Sequence, residues 1–223
     1  MSKQDFVSQG ITSGQHNAIV KNLMLQMGIK DPNEAVRRFN AGEYILTPRL
    51  SQWSVGTDVI INIPELVSDG TTGPEWVTRL EAKGFWISEL AKSMLLSEDF
   101  KPTNRTVYKP IGIKATAFDD SKRLTKNIRS YANRSKWQRP NAELACLLRE
   151  SCSDEQLEAM GLWYLVTMHE TIDDADGDPN LLYINRFDGG QCLDSFYVRP
   201  DDEWDGDGAF VFVLSQVSLE AKS

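Results

Sequence analysis

Two histidines, three cysteines and a dense run of carboxylates are the side chains through which this chain could do chemistry. His169-Glu170 begins like the zinc-peptidase helix, where two histidines four residues apart hold the metal and a glutamate acts as base. Position 173 is Asp173, so the second histidine is missing. His16 is the only other histidine. That leaves too few members for a histidine-rich zinc site or a nucleophile–histidine relay. Cys146, Cys152 and Cys192 form an odd set without metal-type spacing, and read as reduced thiols of a cytoplasmic protein.

The carboxylates come in two short loops. When Asp174, Asp176 and Gly177 are aligned with positions three, five and six of a calcium-binding loop, Ile172 takes the first position and Tyr183 the twelfth. The first ligand and the bidentate glutamate are therefore absent. The second loop, Glu203, Asp205, Asp207 and Gly208, has Leu214 at the twelfth position. Clustered carboxylates repel, and a divalent ion would relieve the repulsion. Asp174, Asp176 and Asp178 are thus the candidate ligands of a weak Ca²⁺ or Mg²⁺ site, set against a solvated acidic turn; no other cofactor is expected. A catalytic carboxylate pair would need a cleft that drives the two pKa values apart, and Gly-flanked loop acids lack one. No catalytic residue is assigned. An enzyme using loop carboxylates and a metal ranks below both binding readings.

Net charge is −8 and the pI about 4.9, but the charge is divided into blocks. From His169 to Gly208 twelve acids face two arginines, for −10. From Lys101 to Arg139 eleven bases face two aspartates, for +9. The basic block holds Lys122, Arg123, Lys126, Arg129, Arg134 and Lys136, with Tyr131 and Trp137 among them. A row of such side chains on a helix suits phosphate, so contact with nucleic acid is one reading. The simpler reading is that part of the block faces the acidic loops within the fold. A third is that one charged pole meets a partner protein, with electrostatics steering the encounter. In Asp201-Asp202-Glu203-Trp204-Asp205, Trp204 is either a plug folded onto the sheet edge or an exposed anchor for a partner. Tyr197 and Asp207 would extend that surface.

The elements that position these groups follow from periodicity. Gln15 to Met27 predicts an amphipathic helix, and Asp31-Pro32-Asn33-Glu34 opens a second. Glu43 to Leu46 and Thr57 to Ile63 read as strands, joined by a segment whose Trp53 could pack on the sheet. Ser68 to Trp76 is a glycine-rich turn and helix cap without the Gly-Lys-Ser/Thr of a nucleotide loop. It leads into a helical pair broken at Gly84. Thr106 to Phe118 is strand-like, with Pro110 marking an edge, a bulge or a division. Asp119 or Asp120 is expected to cap a helix to about Ala132. A helical hairpin spans 141 to 160, and Ser153 with Gln156 forms a capping box. Its second helix is acidic, which is the wrong charge for reading DNA. Strands follow at 162 to 168, 181 to 187 and 209 to 214, with a fourth strand or short helix at 193 to 199.

The expected fold class is α+β: a mostly antiparallel sheet covered by helices from the N-terminal two thirds. A flexible segment, 1–14, precedes a single domain, 15–218, with a soft boundary at 98–105 or 133–140. No apolar run approaches a membrane span or a signal peptide, so a cytoplasmic location is expected, including that of a viral or mobile-element protein in a host. The expected function is a non-catalytic protein–protein interaction factor, accessory or inhibitory, using the acidic C-terminal surface.

Overall fold

The computed structural model describes residues 31–40, 54–55, 59–174, 176–187 and 190–218. The segment 1–14, the helix at 15–27, the strand at 43–46 and Trp53 fall outside them. The chain divides into two units, Met1–Arg49 and Leu50–Ser223. Helix α1 (Pro32–Asn40) is the described helix of the first.

The second unit is built on one ten-stranded mixed sheet. Its strands are β1 (Ser54–Val55), β2 (Ile60–Asn62), β3 (Leu66–Asp69), β4 (Trp86–Ile87), β5 (Asn104–Lys114), β6 (Tyr164–Thr167), β7 (Ile172–Asp173), β8 (Pro179–Phe187), β9 (Gly190–Tyr197) and β10 (Gly208–Ser218). The helices are α2 (Gly73–Ala82), α3 (Glu89–Leu96), α4 (Thr125–Arg134), α5 (Leu144–Ser151) and α6 (Asp154–Ala159). Strand order is β1-β2-β5-β10-β6-β8-β9-β4, with β3 also on β5 and β7 on β8.

The last strand enters the middle of the sheet, antiparallel to β5 and parallel to β6. Strand β4 is also parallel to its partner, β9. The sheet is therefore mixed: seven of the nine pairings among the described residues are antiparallel, as expected of a mostly antiparallel sheet, and two are parallel. The physical cause lies in the connections. Strands β6, β8 and β9 alternate in direction, so β9 and β10 run the same way. Parallel strands cannot be joined by a hairpin. The chain from Val198 to Asp207 must cross back over β8 and β6 before β10 begins.

Side chains of β10 alternate between two cores. Ala209, Val211 and Val213 join one with Leu80, Met94, Leu148, Leu165 and Ile184. Phe210 and Phe212 join the other with Ile113, Ile128, Ala132, Val166, Leu181 and Trp204. A central strand buried on both faces reads as a continuous apolar run, as Ala209 to Val213 does.

Local sequence explains the other departures. Pro110 sits inside an unbroken β5. On one side, partners β2 and β3 leave residues 109 and 110 unpaired; on the other, the register with β10 shifts between Val213 and Ser215. Its missing N–H falls where the ladder is already interrupted. The helical pair after Ser68 is not continuous either. Gly84 adopts φ +82°, β4 intervenes, and Ser88 Oγ accepts from the Ala91 amide at 3.1 Å to start α3. Glu75 accepts from the Thr72 amide at 2.8 Å and from its hydroxyl, which accounts for the glycine-rich turn without a ligand. No described helix is long and apolar enough to cross a membrane.

Candidate functional site

The crossover from β9 to β10 creates a cleft of about 330 Å³. Its lining is Trp163, Tyr164, Tyr183, Asn185, Phe196, Glu203, Trp204, Asp205 and Asp207. The sheet supplies one wall. Tyr183 pairs with Asp194 in register, and Asn185 with Cys192, so Tyr183, Asn185, Asp194 and Phe196 share a face by strand parity. The crossover supplies the other wall.

Trp204 is the plug, not the exposed anchor: it is 7 % exposed. Its ring lies 5.0 Å from Phe196, 5.4 Å from Phe210 and 6.3 Å from Tyr164. Its indole N–H donates to Thr125 Oγ1 at 2.9 Å. The start of α4 holds the loop. The Thr125 amide donates to the Asp202 carbonyl at 3.1 Å, and the Lys126 amide to the Pro200 carbonyl at 2.8 Å. These are free N-terminal amides of a helix that would otherwise lack partners. The Trp204 amide donates to the Arg123 carbonyl at 3.0 Å, and Arg123 returns a bond to the Trp204 carbonyl at 3.1 Å.

The basic block is thus partly spent inside the fold. Arg123 is 7 % exposed and also donates to the carbonyls of Ala115 and Phe118 and to Asp120. Lys126 pairs with Asp201, Arg139 with Glu170, and Lys122 with Asp119 at 2.8 Å. Lys122 lies in a 3-10 turn (Asp120–Lys122), outside α4, which begins at Thr125. The expected row of Lys122, Lys126 and Arg129 on one helix is not formed. Leu124 carries an extended backbone and ends the turn. Arg129 is half-buried, and burial together with the nearby Arg139 lowers its pKa. Arg134 donates to Ser130 Oγ at 2.8 Å, and Lys136 is exposed at φ +59°.

The acids of the loop divide by role. Asp202 accepts from the Arg199 amide at 2.6 Å. Glu203, Asp205 and Asp207 are exposed at the cleft and form no ion pair among the described residues. Burial, then Asp207 and Asp205, raise the pKa of the Tyr164 hydroxyl; burial and Asp194 raise that of Tyr183. Tyr164 donates to the Asp205 carbonyl at 3.2 Å, and Tyr183 to Asp194 at 3.0 Å. Asn185 Oδ1 is buried without a hydrogen-bond partner. Tyr197 lies under the Arg199 guanidinium at 4.8 Å.

Asp174 organises its own turn. Its carboxylate accepts from the amides of Asp176 and Asp178, each at 3.0 Å, and from Asn180 at 3.2 Å. The Asp178 amide is the main cause of its lowered pKa. Asp178 lies 4.0 Å from Arg199. Among the described residues no group of three acids, histidines or cysteines is placed to hold a metal ion. His169 is a buried neutral base: Nε2 accepts from the Leu182 amide at 2.9 Å, Nδ1 donates to the Glu170 carbonyl, and burial lowers its pKa to about 4.

The sequence offered Glu203, Asp205, Asp207 and Trp204 of this lining as candidates, but not Trp163, Tyr164, Tyr183, Asn185 and Phe196. The period-two alternation of Tyr183 and Asn185 against Leu182 and Ile184 marked a second face. The crossover that turns that face into a cleft was not written in it. No protein-family model, curated protein or solved structure matches the chain.

Proposed function

We propose that the protein is a non-catalytic interaction factor, accessory or inhibitory, that presents its acidic C-terminal surface to a basic partner protein. The observation that carries this reading is a group of exposed carboxylates gathered at one cleft. Lys122, Arg123, Lys126 and Arg139 have internal acceptors, whereas Glu203, Asp205 and Asp207 line a cleft with no cationic partner among the described residues. Electrostatic complementarity would then supply orientation and association rate. The nucleic-acid reading loses Arg123 to burial and the helical row to the 3-10 turn. It keeps Arg134 and Lys136, both exposed.

Fluorescence anisotropy with labelled basic polypeptides and labelled duplex DNA separates the two. Basic polypeptide is expected to bind, more weakly as salt rises. A variant with Glu203→Gln, Asp205→Asn and Asp207→Asn should bind at least about tenfold less well. Binding of DNA in place of polypeptide, abolished by Arg134→Ala with Lys136→Ala, would reverse the conclusion.

A further inference from the structure

We propose that the cleft beneath the 198–207 crossover receives the side chain of one arginine from the partner polypeptide. This deepens the reading above and rests on it. Four features of the cleft select the ligand. First, its walls are aromatic: Trp163, Tyr164, Tyr183, Phe196 and Trp204. Trp163 is 45 % and Phe196 44 % exposed, unlike the buried aromatics of the cores. A cation over such rings is attracted by their π-faces, and the flat guanidinium also stacks on them. Second, the charged groups of the lining are acceptors. Glu203, Asp205 and Asp207 contribute exposed carboxylates that have no ion pair among the described residues. A ligand that satisfies them must carry several N–H groups. A quaternary ammonium carries none, and guanidinium carries five in a fixed fork.

Third, two arginines beside the cleft already have acceptors of their own. Arg186 stands 5.1 Å from the Trp163 ring centre but is held by Glu158 at 3.2 Å. It is also evidence that this indole accepts a guanidinium. Arg123, close to Gly206, is committed to carbonyl groups and Asp120. Fourth, about 330 Å³ lies at the small end for a binding pocket, so it suits one side chain better than a folded segment. The remainder of the partner would lie across the acidic rim.

The test uses the full chain and three short peptides that differ at one central position: arginine, lysine, and citrulline, the neutral shape-matched analogue of arginine. The readouts are titration calorimetry and the indole N–H resonances of Trp163 and Trp204. The arginine peptide should shift both resonances and bind about tenfold more tightly than the citrulline peptide, with lysine between them. Trp163→Ala and Phe196→Ala replace half-exposed rings, and circular dichroism checks their folds. Each should weaken the arginine peptide about tenfold. Citrulline binding within about twofold of arginine, or unchanged affinity in both ring variants, overturns the arginine receptor. If the polybasic chains still bind under those results, the acidic-surface reading stands alone; if they do not bind, both readings fall.

Discussion

At the scale of single residues, His169 and Trp204 are both buried, and each carries a measurable consequence. His169 is neutral in the fold because its ring is buried and both nitrogens have backbone partners. Unfolded, it binds a proton below about pH 6.5; folded, only below about 4. A depressed folded pKa leaves stability untouched above pH 6.5 and erodes it as pH falls toward 4. The limit of that loss is about 3 kcal/mol. Wild type should therefore lose melting temperature between pH 6.5 and 4.5 faster than His169→Gln; parallel curves would refute a buried neutral imidazole. Trp204→Ala should cost about 3–5 kcal/mol by emptying a packed aromatic site. Trp204→Phe, losing the bond to Thr125, should cost about 1 kcal/mol beyond its volume loss. Urea denaturation measures both. The sequence presented Trp204 as either plug or anchor, since a tryptophan among acids has no local periodicity to place it.

At the scale of elements, the joints matter more than the elements. Arg149 is fully buried at the end of α5. It donates to the carbonyls of Asn185 and Cys192 and to Gln191, and pairs with Asp154 at 3.3 Å. One guanidinium thus ties α5 and the start of α6 to β8 and β9, behind the strand that carries Asn185. Arg149→Ala would leave Asp154 and several carbonyls without it. We expect a loss of about 3 kcal/mol or more by chemical denaturation. Gly208 opens β10 opposite Tyr164. A Cβ there would lie 2.0 Å from the tyrosine ring, so Gly208→Ala must displace a cleft wall. It should lower the melting temperature and quench the response of the cleft to the arginine peptide, whereas Gly161→Ala meets no atom within 4 Å and pays only for its φ of +72°. The capped starts of α6 and α2 were legible, Ser153 with Gln156 as a capping box and the glycine-rich turn before Trp76 as a cap, because each is local in sequence. The β4 interruption was not, because Phe85 to Leu95 keeps helical spacing, and only pairing to β9 shows that Trp86 and Ile87 are extended.

At the scale of the whole molecule, the two charge blocks are brought into contact at α4 and the crossover, partly through backbone amides and carbonyls. Added salt should consequently weaken binding of basic chains far more than it weakens the fold, because screening acts on exposed charges and not on buried hydrogen bonds. Parallel titrations of affinity and melting temperature check this. The cysteines share this enclosure. Cys146, Cys152 and Cys192 are free and buried; burial pushes the thiols of Cys152 and Cys192 up to about 12 and raises that of Cys146 well above its usual value. A disulfide reagent should label the native protein only as fast as it opens, and all three thiols at once in concentrated guanidinium. Prompt labelling of the native protein would contradict the enclosure.

What the sequence determined by itself is what arises between near neighbours. The helix caps, the alternation along β8, the two-faced apolar run of β10 and the failure of the metal motifs at Asp173, Ile172 and Tyr183 all depend on spacings of a few residues. The strands at 181 to 187 and 209 to 214 could be read in this way, and they exist as β8 and β10. What only the tertiary structure decided is which strand neighbours which. Entry of β10 between β5 and β6 makes the sheet mixed and forces the acidic segment across its face. It buries Trp204 and gathers Trp163, Tyr164, Tyr183, Asn185 and Phe196 around three carboxylates. Strand order is set by the summed burial of both faces, a non-local quantity that no window of the sequence contains.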